Sequence, residues 1–197
     1  MTETTLAPPT SARASDWLTR YYLARAAFSL VWVAAAFAVA TKMPSVAAVL
    51  LVVYPAWDAL ANLADARRHG GLGKNFTQML NVVVSGVATA AVAIALTIDM
   101  HAVLGVYGAW AMLAGIFQLA TGVRRWKVHG AQWAMILSGA QSALAGGFFI
   151  VRAGGARVPT VSDIAPYAAF GAFYFLVSAL SLAVSSAWSR GPRAAAR

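Results

Sequence analysis

SVAAVLLVVYPAWDALANLADARR, residues 45–68, is an oily run that ends on two arginines and carries Asp58 and Asp65 within it. Crossing the hydrocarbon of a bilayer takes about 20 mostly apolar residues as a helix, the form in which a chain satisfies its own backbone N–H and C=O groups away from water. The segment has that length. It reads as a membrane-spanning helix whose carboxylates need an explanation.

The rest of the chain has the same character. Its 197 residues are 60% hydrophobic and 11% charged, where an ordinary soluble domain is about 25% charged. Polar punctuation separates six apolar runs, at about 22–41, 45–64, 78–98, 101–123, 131–151 and 164–187. The first two, broken only by Lys42 and Pro44, are expected to form a tight hairpin. Strand-like alternation is absent, which argues against a transmembrane barrel. The expected fold is an all-α integral membrane protein with six transmembrane helices over 21–190. A disordered tail at 1–20 and a basic tail at 191–197 would flank it. Ala38-Val39-Ala40 has the small-residue pattern of a signal-peptidase site, but the first run is expected to be retained as a helix.

The formal net charge is +9. Twelve of the fifteen Lys and Arg residues fall on one side of a six-helix arrangement: Arg13, Arg20, Arg25, Arg67, Arg68, Lys74, Arg124, Arg125, Lys127, Arg190, Arg193 and Arg197. The other side keeps Lys42, Arg152 and Arg157. The bias places both termini in the cytoplasm, and the basic residues then act as topology signals rather than as a nucleic-acid surface. With no cysteine in the chain, disulfides, thiol nucleophiles and thiolate metal sites are excluded.

Internal similarity organises the runs. A shift of 53 carries Tyr54, Ala56, Trp57, Leu60 and Ala61 onto Tyr107, Ala109, Trp110, Leu113 and Ala114, and Ser85-Gly86 onto Ser138-Gly139. A shift of 63 carries Tyr107, Gly108, Ala109, Trp110 and Leu113 onto Phe170, Gly171, Ala172, Phe173 and Leu176. The expected unit is a two-helix hairpin repeated three times, over about 21–69, 76–129 and 130–190. Small residues line helix faces: Gly108, Gly115 and Gly122; Gly171 and Ser178 in the sixth run; Ser138, Ser142 and Gly146 in the fifth. Such faces let helix backbones approach closely in lipid, and they read as a packing face, within the chain or between copies of it.

Residues 105–154, GVYGAWAMLAGIFQLATGVRRWKVHGAQWAMILSGAQSALAGGFFIVRAG, resemble the short repeat of the bacterial HdeD-type acid-resistance membrane protein family. The features that carry the resemblance are the Gly-x-Trp start, the mid-helix Gly-Ile, Gln-Leu before a basic turn, then Trp, Ser-Gly and Ser-x-x-x-Gly. It extends over most of 76–190, with the first hairpin as a divergent copy. The resemblance implies a bacterial inner-membrane protein associated with acid or envelope stress, and it supplies no catalytic residues.

The first hairpin departs from the repeat at the carboxylates. Asp58, Asn62 and Asp65 stand where the fourth run has Ala111, Gly115 and Gln118, and their spacing puts them on one helix face. Asp65, beside Arg67 and Arg68, reads as a solvated or interfacial residue paired locally. Asp58 lies about 9 Å inside the boundary at 1.5 Å per residue, where a charge is costly and requires a partner. Arg25 is that partner by depth; the alternatives are a proton- or ligand-binding role for Asp58 or a water-facing position. Trp17, Tyr21, Tyr22, Trp126, Trp133 and Trp188 read as an interfacial belt.

His69, His101 and His129 lie in loops or at junctions, without metal-ligand spacing, and no enzyme signature is present. The chain is therefore expected to be non-enzymatic, without cofactor or metal, acting in acid or envelope-stress resistance through the bilayer or a partner. Two alternatives stand beside that expectation: a proton or small-solute transporter or channel using Arg25, Asp58 and Asn62, and a structural subunit of a membrane complex or homo-oligomer. Nucleic acid is not an expected partner.

Overall fold

The structure, a computed structural model, describes residues 10–125 and 132–189. Among them there is no strand, and six helices are long and apolar enough to cross a membrane. These are α1 (Thr10–Ala35), which widens into a π-helical turn at Ala36–Ala40, α2 (Pro44–Arg68), α3 (Phe76–Ala95), α4 (Met100–Arg125), α5 (Gln132–Ala153) and α6 (Val161–Ser189). Large apolar side chains point outward along the bundle, among them Val31, Val87, Ile94 and Val151, a surface suited to lipid rather than water. The chain is a multi-pass membrane protein.

Helix α1 begins within the segment expected as a tail. From Thr10 to Ala35 no Gly or Pro interrupts the chain, so nothing stops the helix short of Pro9. Residues 1–9 and the tail at 191–197 lie outside the described residues, as do Trp126, Lys127 and His129.

Local chemistry sets the other ends. Pro44 starts α2, where a missing N–H costs nothing. Gly70, at φ 94°, stops it, and the Gly71 N–H reaches back 2.8 Å to the Ala66 carbonyl, a C-terminal closure that needs a left-handed residue. Asp99 caps α4 by accepting from the Ala102 N–H at 2.7 Å. At α6, Asp163 accepts from the backbone N–H of Thr160 at 2.7 Å and draws in Arg152 and Arg157.

The helices that pack most closely are α4 with α5, α1 with α6, and α2 with α3. The expected tight hairpin of the first two runs is instead splayed. Aromatic rings stand between α1 and α2, with Phe28 stacked on Trp57 at 4.6 Å and Trp32 beside Tyr54 at 5.0 Å. Between α4 and α5 the backbones touch. A Cβ on Gly108 would lie 2.8 Å from the Gly146 carbonyl oxygen, and one on Gly139 would lie 2.6 Å from the Leu119 nitrogen. Ser142 adds a hydrogen bond to the Ala111 carbonyl at 2.9 Å. The glycine face of α4 is thus covered by α5 at Gly108 and Gly115, and this occupancy leaves those two glycines no room to join copies of the chain.

One end of the bundle is solid. Trp32, Ala36, Leu51, Val92, Leu104, Tyr107 and Ile164 form a buried core near the α1–α2, α3–α4 and α5–α6 turns. Pro55 has no N–H for the Leu51 carbonyl four residues back, and the Tyr107 hydroxyl takes that carbonyl instead, at 2.7 Å.

Candidate functional site

Toward the opposite, basic end the helices part. Because α5 and α6 touch at few points and α1 is held off α2, a cavity of about 1050 Å³ lies between them. All six helices contribute to its wall, which runs from His69, Asn75 and Thr77 at the basic end past the rings of Trp110 and Tyr167 to Asp163 in the first turn of α6.

Asp58 stands on that wall and is paired with Arg25 as expected. Its second oxygen accepts from Ser85 of α3 at 2.7 Å and from the Asn62 amide at 3.1 Å. The Ser85 hydroxyl in turn receives the Trp110 indole N–H at 3.1 Å. The Arg25 guanidinium lies 4.3 Å from the Phe175 ring centre and donates to the Tyr21 hydroxyl at 2.8 Å. One carboxylate therefore gathers groups from α1, α2, α3 and α4, and the cation reaches α6. Charges this far from bulk water are stable only when each finds opposite charge and hydrogen-bond partners: Asp58 accepts from Arg25, Ser85 and Asn62, and Arg25 donates to Asp58 and Tyr21, with its Nε alone left without an acceptor among the described residues.

Asp65 differs from its expected solvated state: it is 8% exposed. The turn after α2 is short, so α3 folds back over it, and the Gln78 amide donates to its Oδ2 at 3.1 Å. Arg67 and Arg68 do not pair with it; Arg68 lies over the Trp17 ring at 5.1 Å. His69 Nδ1 approaches Asp65 Oδ1 to 3.2 Å, but its hydrogen bond is to the Asp65 carbonyl at 2.9 Å, which leaves Oδ1 without a donor among the described residues.

Several residues take places that the sequence did not indicate. Tyr21 and Tyr22, expected in an interfacial belt, line the cavity; Tyr54, Trp57 and Trp110, deep rings that the sequence left open to packing or to lining a cavity, line it too. Gln118, Gln141 and Ser138 also line it, and Gln141 accepts from the Tyr174 hydroxyl at 2.8 Å. Gly171 packs near Tyr54, and Ser178 bonds within its own helix, to the Tyr174 carbonyl at 2.8 Å. Of Gly122 only the helical backbone is described, and nothing is described of the Trp133 side chain. Ser85, Trp110, Tyr21, Phe175 and Gln78 were missed as members of the charged cluster. The one available signal was Ser85 itself, a hydroxyl placed mid-span on a neighbouring helix.

Comparison of the chain with protein-family models, with curated proteins and with solved structures finds no match.

Proposed function

We propose that this protein binds a small solute within the membrane, in the cavity walled by Arg25, Asp58 and Asn62, and carries it between the bilayer and the basic end of the bundle. The observation that supports this reading is the cavity itself. Its volume of about 1050 Å³ is at the upper end of ligand pockets, which run to about 1,000 Å³, and it is centred on the polar residues of an otherwise oily chain. Its lining mixes rings with a few polar groups, the composition of a small-molecule site. We read the role as non-covalent, since Asp58 is occupied by Arg25, Ser85 and Asn62 rather than free to act as a base. With the termini on the basic side, the cavity would open to the cytoplasm.

Filling the cavity tests this. Ala114 is on its wall, so Ala114→Trp should abolish the saturable quenching of Trp57 and Trp110 fluorescence by a panel of cationic, anionic and neutral amphiphiles, without lowering the unfolding temperature. Equal quenching of both proteins across the panel would contradict the proposal.

A second reading concerns ancestry and setting: membership of the HdeD-type family, in a bacterial inner membrane and in stress resistance. It is supported by the quoted residues of 105–154. These coincide with the α4–α5 pair, where Gly115, Gly139, Ser142 and Gly146 are packing groups, so the motif speaks to architecture rather than to chemistry. The sequence repeat is compatible with the packing if the close pairs α2–α3, α4–α5 and α6–α1 are taken as its units. Survival of a deletion strain in acid, unchanged from its parent, would remove the stress role.

A further inference from the structure

The geometry points to an amphipathic organic cation as the occupant of the cavity, its charge held by Asp65 and its apolar body against the aromatic wall. This rests on the solute-binding reading above and specifies its substrate class.

Among the described residues the charges lining the cavity are Arg25, Asp58, Asp65 and Asp163, with His69 at the mouth. Arg25 and Asp58 neutralise each other. Asp163 is engaged by Arg152, Arg157 and its own helix terminus. Asp65 remains: it is 8% exposed, the half-exposed His69 ring is the one basic group among the described residues that reaches it, at 3.2 Å from Oδ1, no arginine or lysine among those residues pairs with it, and Oδ1 has no hydrogen-bond donor among them. A buried carboxylate in that state favours a cation, and disfavours an anion, in whatever fills the space before it.

The walls add to this selection. Tyr22, Trp57, Phe117, Tyr167 and Tyr174 present rings to the cavity, and ring faces attract a desolvated cation. Arg25 already uses Phe175 in this way. Entry from lipid explains the amphipathic character. Leu144 and Phe148 of α5 and Phe170 of α6 line the cavity and are also exposed on the outer, lipid-facing surface. The cavity thus reaches the bilayer between α5 and α6, neighbours that touch at few points.

The probes are tetraphenylphosphonium and tetraphenylborate, ions of one shape and opposite charge, measured by equilibrium dialysis with the full chain in nanodiscs of neutral lipid and with protein-free nanodiscs as blank. The expected result is saturable binding of the phosphonium only, weakened about tenfold or more in Asp65→Asn, as loss of one close charge pair implies, and retained in Asp65→Glu. Equal binding of both ions, or phosphonium binding indifferent to Asp65→Asn, overturns the assignment. Binding of neither ion also overturns it, and the amphiphile panel with Ala114→Trp then shows whether the cavity reading itself survives. Should Asp65→Asn fail to fold, protection of a single thiol in Gln141→Cys by the phosphonium but not the borate carries the same test.

Discussion

Ser85 donates its hydroxyl proton to Asp58 at 2.7 Å and by that bond fastens α3 to an ion pair formed between α1 and α2. The same hydroxyl receives Trp110 from α4 at 3.1 Å. The charged pair is thus a polar joint in a bundle whose helices meet mostly through apolar and small residues, with single hydrogen bonds such as Gln78 to Asp65 and Tyr174 to Gln141 elsewhere. The site is consequently both a structural joint and part of a cavity wall, and the following predictions separate these roles.

Arg25→Gln should destabilise the protein by about 3 kcal/mol, the low end for breaking a buried pair, because the two side chains keep 13% and 21% exposure. Asp58→Asn should cost a comparable amount, and the double substitution less than the sum of the two. Thermal unfolding in nanodiscs checks the coupling. Additive losses would mean that the pair does not act as a unit.

Tyr107→Phe should cost about 1–2 kcal/mol by leaving the Leu51 carbonyl without a donor in a buried position. Restoring the backbone N–H with Pro55→Ala should make the same change milder. A double-mutant cycle on unfolding temperature measures this, and an equal cost in both backgrounds would refute the substitution of hydroxyl for amide.

Two glycines of similar sequence context should behave in opposite ways. Gly139→Ala drives a methyl into the α4 backbone and should cost about 1–3 kcal/mol, the usual range for overpacking. Gly86→Ala meets nothing within 4 Å and should be neutral or stabilising by up to about 1 kcal/mol, since alanine is the better helix former. Unfolding measurements on the two variants settle the contrast.

The number of helices was legible in the sequence because run length and charge are local properties, and Arg25 with Asp58 was legible because two charges at one depth on adjacent helices have few other partners. Ser85 and Trp110 were not. The part of Ser85 depends on α2 packing against α3, across the boundary between the expected hairpins, and Trp110 joins only through that hydroxyl. The burial of Asp65 was hidden by Arg67 and Arg68, whose proximity in sequence suggested local pairing, while the turn at Gly70 brings Gln78 over the carboxylate instead. Deep rings such as Tyr54, Trp57 and Trp110 were compatible with a cavity and with packing alike, and the cavity itself was not legible because it arises from where helices fail to touch.

The proposed function requires a solute-accessible path from the cavity beside the ion pair to the basic end of the bundle. The chain has no cysteine, so Gln141→Cys, on the cavity wall, and Val87→Cys, on the lipid face, each carry a single thiol. The measurement is their rate of reaction with a membrane-impermeant maleimide in sealed vesicles of each orientation. The account predicts rapid labelling of Gln141→Cys only when the reagent meets the basic end, and none of Val87→Cys from either side. A thiol at position 141 as unreactive as that at position 87, or one labelled from the opposite end, would contradict it.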